Sequence, residues 1–285
     1  MPEAKIGVIG GSGLYEMEGM TDIEEVSLET PFGKPSDAII IGSLEGKRVA
    51  FLPRHGRGHR LSPSELPARA NIFALKLLGV ERIISVNSAG SFKEEIRPGD
   101  MVIPDQIIDR TTSRVNSFFG GGVVVHAPFA DPFCPVLSQI LYEATQEVGV
   151  KVHKGGAFVA MEGPSFSTRA ESRLYRSWGA SIIGMTVLPE ARLAREAEMC
   201  YASLACVTDY DSWHERYEVV TADLIIETLH KNIDNAKRII KLAVSRIPQN
   251  RECQCPTALR NAIVTKYIPE KLKRDLAPLI SRYIP

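Results

Sequence analysis

Asp209 and Asp211 stand one residue apart at the end of an apolar run, residues 201–208, whose length and Val and Thr content read as a buried strand. Residues i and i+2 of an extended segment point to one side, so both carboxyl groups are aimed into one place. Burial raises a carboxyl pKa, and a second carboxylate nearby raises it further. One of the pair can then hold a proton near neutral pH and act as a general acid while the other accepts a hydrogen bond. A purine base suits both roles, because N7 takes a proton and an exocyclic amine donates one. On these two residues alone, a turn in which Asp caps the next helix is an equally good reading.

Other strand-to-loop junctions carry groups suited to an anion. Gly10-Gly11-Ser12-Gly13 follows the first apolar run. Glycines let a backbone turn sharply and aim its N–H groups at an anion, and Ser12 adds a hydroxyl donor. The dinucleotide-binding spacing fails, since Glu16 stands at the third glycine position, and the lysine of a nucleotide-binding P-loop is absent. Arg54 and His55, flanked by glycines after another strand, are suited to capture phosphate, with His55 donating to the same oxyanion. Asn87, Ser88, Ala89 and Gly90 are small or hydroxylic, and the Ser88 N–H can complete a phosphate cradle. Phe166 precedes Ser167 and Thr168, and Thr168 with Glu171 has capping-box spacing for a helix start. Met185 and Thr186 close a further strand. Each segment has a plainer reading: a tight turn, a solvated basic loop, close packing, or a core aromatic or methionine. Together they describe a phosphate site beside a carboxyl pair at the carboxyl ends of strands, where α/β sheets bind ligands. That combination matches phosphorolysis of an N-glycosidic bond.

The elements that must position these groups alternate. Strands are expected at residues 6–9, 37–41, 48–52, 83–86, 100–104, 157–161, 181–185 and 202–208. Helices are expected at about 67–78, 135–148, 167–178, 189–198, 222–246 and 269–282. The pattern predicts an α/β fold with a mixed central sheet. No repeat, linker or shift of composition divides the chain. One domain is therefore expected over 1–285, with a main body over 1–247 and a tail over 248–285 ending in a docking helix.

The composition is that of an ordinary soluble globular protein, 44% hydrophobic and 24% charged. The zero net charge points to neither a nucleic acid nor an anionic membrane as partner. No apolar stretch approaches the roughly 20 residues needed to span a bilayer, and the opening residues lack the features of an export signal. A cytoplasmic protein is expected. Five cysteines, an odd count, suggest reduced, partly buried thiols. Cys253-x-Cys255 lacks the second pair or histidine of a zinc site, so no metal is expected. Exposed thiols on a mobile tail are the simplest reading of that pair, and a redox or disulfide element is the alternative.

In order along the chain, Gly10-Gly-Ser-Gly-Leu14, Thr30-Pro-Phe-Gly-Lys-Pro-Ser-Asp37, Arg54-His-Gly56, Asn87-Ser-Ala-Gly90, Glu162-Gly-Pro-Ser-Phe-Ser167, Gly184-Met-Thr186 and Thr208-Asp-Tyr-Asp211 resemble the trimeric purine nucleoside phosphorylases. Within that family the chain is most similar to members that act on 5′-methylthioadenosine. The resemblance spans about residues 5–245. It implies a single-domain nucleoside-phosphorylase fold with a distorted mixed sheet, a homotrimer or dimer of trimers, and a place in purine and methionine salvage. It also implies inorganic phosphate as co-substrate, with no cofactor. By resemblance Ser12, Arg54, His55, Asn87, Ser88 and Thr186 would bind phosphate. Met185 would lie under the ribose, and Ala89, Phe166 and Ser167 against the substrate. Asp209 would protonate N7 and Asp211 would accept from the 6-amino group. His126 would reach across a subunit interface to the 5′ end, where Ala222 would favour methylthio over hydroxyl. Cys253-x-Cys255 resembles the tail of disulfide-bearing members.

Relatives acting on 6-oxopurines carry Asn in the base-reading pair, because an amide can face O6 whereas a carboxylate repels it. Retention of both aspartates favours adenine. A 6-oxopurine or methylthioinosine phosphorylase is the nearest alternative. A hydrolytic nucleosidase would have no use for Arg54 and His55 at a phosphate, and a non-catalytic binding protein would show damaged site residues.

Overall fold

The computed structural model describes residues 3–11, 13, 14, 17–214 and 222–284, the side chains of 222–227 and 229 excepted. Its eleven strands form one mixed sheet. β1 (Ile6–Gly10) runs parallel to β4 (Lys47–Pro53) on one side and to β5 (Arg82–Ser91) on the other. Beyond β4, the antiparallel strands β3 (Ile39–Leu44) and β2 (Thr21–Val26) finish that end. β5 is the spine of the sheet. β11 (Cys200–Tyr210) lies parallel to it from end to end. The other edge of β5 is divided: β1 pairs with Arg82–Ser85, and antiparallel β10 (Ile182–Gly184) pairs with Gly90 and Ser91. Among the described residues no strand pairs with 86–89 on that edge, and there the sheet opens. β9 (Ala157–Met161) and β7 (Gln106–Arg110) continue from β10, while β6 (Met101–Ile103) and β8 (Val152–Lys154) continue from β11.

Both faces of the central strands are covered, which is why they read as unbroken apolar runs. Along β11, Tyr201, Ala205 and Val207 face one core, and Ala202, Leu204 and Cys206 face the other. The first core is packed by α1 (Ala68–Leu77) and α4 (Val187–Glu196), the second by α2 (Pro135–Glu147) and α5 (Ala222–Arg246). None of the described helices is long and apolar enough to cross a membrane.

The structure departs from the sequence reading in three respects. β2, β7 and β8 were not expected. β2 is an exposed edge strand carrying Asp22, Glu24 and Glu25, charges that discourage further pairing and also erase the apolar signal. The helix expected over 269–282 is two short ones, α6 (Glu270–Asp275) and α7 (Ala277–Ile280), because Pro278 has no N–H to donate to the turn before it. The tail thiols are not exposed: Cys255 is buried and Cys253 half-buried, against Cys134 and Cys200 of the body.

Candidate active site

The pairing of β11 with β5 slips between Val207, opposite Ala89, and Asp209, opposite Gly90. Thr208 is the extra residue of this bulge. Opposed residues of parallel strands share a face, so without the bulge Asp209 would lie on the apolar face that Val207 occupies. The Val207 carbonyl is held by the Gly99 N–H at 2.9 Å and by Asn232 Nδ2 of α5 at 2.9 Å. Asp209 and Asp211 then gather over Gly90: a Cβ there would lie 3.1 Å from Asp209 Oδ2 and 3.3 Å from Asp211 Cβ. Glycine leaves the space the two carboxyl groups use.

The pair lies in a cavity of about 220 Å³ at the opening in the sheet. Arg54, His55, Ser88, Ala89, Phe166, Met185 and Thr186 share its lining. Burial pushes the Asp209 carboxyl up to about 6. The Thr208 hydroxyl, 2.7 Å from Oδ1, works against that rise, and the Asp211 charge adds to it. Asp211 is also raised, first by burial, against hydrogen bonds that include the Ser167 hydroxyl at 2.8 and 2.7 Å from its two oxygens. Ser167 is thus a buried support behind Asp211, and the Thr168–Glu171 capping box that starts α3 (Arg169–Ser177) fixes it. Phe166 is half exposed at the mouth. Gly163, with φ of +71°, lets Met185 pack closely: a Cβ there would lie 2.5 Å from its sulfur.

The anion side is built differently from its sequence reading. Arg54 is buried and its guanidinium is largely committed. Nε and Nη2 clasp Glu190 of α4 at 2.6 and 3.2 Å, Nη2 also reaches Ser85 Oγ at 2.7 Å, and Nη1 holds the Val86 carbonyl at 2.7 Å. Glu190 further accepts from Ser85 and Tyr201 hydroxyls at 2.9 and 3.0 Å. Arg54 therefore brings to the cavity a neutralised ion pair and a second Nη1–H, which has no partner among the described residues, rather than a free charge. His55 lies 2.8 Å from the Leu61 carbonyl through Nδ1, which makes that nitrogen the donor. Burial, then the Arg54 charge, lowers its pKa to about 4, so the neutral ring offers Nε2 as an acceptor. The donation expected of His55 requires protonation, which a bound anion promotes. Asn87 does not face the cavity. It is buried, its Nδ2 donates to Thr186 Oγ1 at 2.8 Å, and its Oδ1 accepts from Ser85 and Ser203 at 3.1 and 2.8 Å. The Thr186 hydroxyl, already accepting, keeps its own hydrogen for the cavity. Ser88 is the exposed residue of an otherwise buried strand, at the gap between β1 and β10.

Ser12 lies outside the described residues, as does the side chain of Ala222. His126 is exposed and outside this cavity, its N–H bonded to the Ala262 carbonyl at 2.9 Å. The sequence reading missed Glu190, whose contact with Arg54 spans 136 residues, and Arg114. The buried Arg114 guanidinium binds the Met185 and Glu162 carbonyls, the Leu188 carbonyl at 2.6 Å and the Glu162 carboxylate at 3.1 Å, tying two loops of the site together. It also missed His59, stacked on His55 at 4.2 Å and lining the cavity, although His59 stands in the same basic segment.

Sheet topology, cavity and carboxyl pair together describe an α/β enzyme built to handle a base beside an anion. Residues 5–245 match the model of the phosphorylase superfamily, and the chain belongs to that family. A Geobacter sulfurreducens protein named S-methyl-5′-thioadenosine phosphorylase is 58% identical over 285 residues, covering 99% of this chain and 100% of its own. Its namesake from Chloroflexus aurantiacus is 58% identical over 286 residues, covering 99% of each. Among solved structures, a methylthioadenosine phosphorylase from an antarctic soil metagenomic library aligns with a TM-score of 0.94 at 50% identity, over 98% of this chain and 100% of its own. The Schistosoma mansoni methylthioadenosine phosphorylase in complex with adenine aligns with a TM-score of 0.83 at 35% identity, over 98% of each chain.

Proposed function

We propose that the cavity catalyses phosphorolysis of 5′-methylthioadenosine to adenine and 5-methylthioribose 1-phosphate. The observation that carries this reading is the buried Asp209–Asp211 pair over Gly90, facing the Ser88 and Thr186 donors across one cavity. The names of the relatives support it. Protonated Asp209 gives its proton to N7 as the C1′–N9 bond breaks and its electrons pass into the purine. A phosphate oxygen bonds to C1′ on the opposite face, and Asp209 is left as a carboxylate to be reprotonated. Asp211, held by Ser167, accepts from the 6-amino group and would repel a 6-oxo group. Phosphate is positioned by the Thr186 hydroxyl, the Ser88 backbone, the spare Arg54 N–H and His55, which is drawn to protonate as the dianion arrives. Ser12, outside the described residues, is assigned to phosphate by the sequence resemblance alone. Met185 lies under the ribose and Phe166 against the base. Positioning and oriented dipoles do most of the work. Inorganic phosphate is the co-substrate, and the scheme calls on no cofactor. Exposed His126, outside the cavity of its own chain, is assigned to a neighbour's 5′ end in a homotrimer or dimer of trimers, with Ala222 lining the methylthio group.

Adenine release from 5′-methylthioadenosine, followed with and without phosphate beside adenosine and inosine, tests the reading. Phosphate-dependent release with little action on inosine is expected, and Asp209→Ala should lower turnover by orders of magnitude. Preferred cleavage of inosine would overturn the base assignment, and phosphate-independent cleavage would overturn the anion site.

A further inference from the structure

Four of the five cysteines converge at one place far apart in sequence. Cys134 precedes α2, Cys200 opens β11, and Cys253 and Cys255 come from the tail. Their sulfurs all lie within 4.8 Å of one another, with Cys200 and Cys253 at 3.4 Å. A tetrahedral zinc–thiolate centre, with Zn–S bonds of about 2.3 Å, has sulfurs about 3.8 Å apart. The observed spacing is of that order and well beyond a disulfide bond of roughly 2.05 Å. Backbone bonds hold the body half in place: the Cys134 N–H donates to the Tyr201 carbonyl at 2.8 Å and the Cys200 N–H to the Glu81 carbonyl at 2.9 Å. A cavity of about 10 Å³, room for a single small occupant, lies against Cys134, Cys200 and Cys253, with Arg82 and Arg251 also in its wall. Arg82 also donates to the Gln249 and Asn250 carbonyls at 3.1 and 2.8 Å, bringing the tail segment to the thiols. Four thiolates on one divalent ion leave a charge of −2. Two arginines beside it suit that charge, although Glu81 pairs with both.

We infer that Cys134, Cys200, Cys253 and Cys255 form a structural tetrathiolate site for a zinc-type divalent cation that staples the C-terminal tail to the body. Binding displaces four thiol protons to solvent and forms four metal–sulfur bonds, with no change of oxidation state. The second pair that Cys253-x-Cys255 lacks in sequence is supplied by the fold.

The test uses the full chain purified under a phosphine reductant, metal-stripped, then given zinc chloride or cobalt chloride alone. About one zinc per chain should survive dialysis, and cobalt should give a sulfur-to-metal charge-transfer band with the intense visible bands of a tetrahedral site. Cys253→Ser with Cys255→Ser should lose both signals, while Cys206→Ala, a buried thiol outside the cluster, should keep them. Less than about a tenth of a zinc per chain, or cobalt bands that persist without Cys253 and Cys255, would overturn the site. So would paired disulfides in the isolated protein that bind no zinc once reduced. The stoichiometry and spectrum of the unaltered chain decide the matter even where a variant fails to fold.

Discussion

Burial holds the Asp209 carboxyl up to about 6, above its ordinary 3.8. The folded chain therefore favours the protonated form. The stability this contributes is fully present below about pH 3.8 and is lost as pH rises through about 6, a change of up to about 3 kcal/mol. Asp209→Asn has no such ionisation. Its unfolding free energy in urea, less that of the unaltered chain, should therefore climb between about pH 4 and 7. Parallel pH profiles would show that Asp209 ionises as readily folded as unfolded. Gly90 acts on the same pair. An alanine methyl would press on Asp209 Oδ2 and Asp211 Cβ from 3.1 and 3.3 Å, so Gly90→Ala should move both carboxyl groups by tenths of an ångström. Turnover should fall roughly tenfold or more, because small misplacements of reacting groups are costly. Unchanged turnover in a soluble Gly90→Ala protein would mean that the carboxyl positions tolerate that shift.

The elements meet beneath the anion side, where Arg54 after β4, Ser85 on β5, Glu190 on α4 and Tyr201 on β11 share one buried network. Removing one charge of a buried pair leaves the other uncompensated, at about 3–5 kcal/mol. Glu190→Gln should lower the unfolding free energy by about that amount and also weaken phosphate saturation, since Arg54 loses the clasp that orients it. A variant with native stability and native phosphate dependence would show that the clasp does neither. The strand-to-loop junctions were legible in the sequence, because glycines, hydroxyls and basic groups follow apolar runs there. What lies under them was not. The Glu190 clasp on Arg54 spans 136 residues, and nothing local in the sequence shows Asn87 turned toward Thr186. The bulge at Thr208 exists only in the pairing of β11 with β5, so the i, i+2 rule found the carboxyl pair without the device that aims it. Edge strand β2, acidic and exposed, offered no apolar period to find.

At the scale of the whole molecule, the tail is held to the body partly by apolar packing, since Ile268, Leu276, Leu279 and Ile280 are buried in the first core and Cys255 in the second. Glu198, just after α4 and buried, is one of the tail's polar anchors. Its carboxylate accepts from the Leu259 N–H at 3.0 Å and the Tyr283 hydroxyl at 2.5 Å, and its carbonyl accepts from Arg251 at 2.8 Å. Arg282 stands 3.9 Å from the same carboxylate. Hydrogen bonds to a charged group contribute about 1.5–3 kcal/mol each, so a neutral replacement should let the tail open locally roughly tenfold or more often. Glu198→Gln keeps the shape and removes the charge. Under limited proteolysis, cleavage within residues 248–284 should accelerate by about that factor, while the fragment carrying the sheet persists. Mass spectrometry of the timed digest separates the outcomes. Faster loss of the tail alone places a polar anchor at Glu198. Simultaneous loss of body and tail would mean that the two unfold as one unit, and an unchanged rate would mean that other contacts carry the tail.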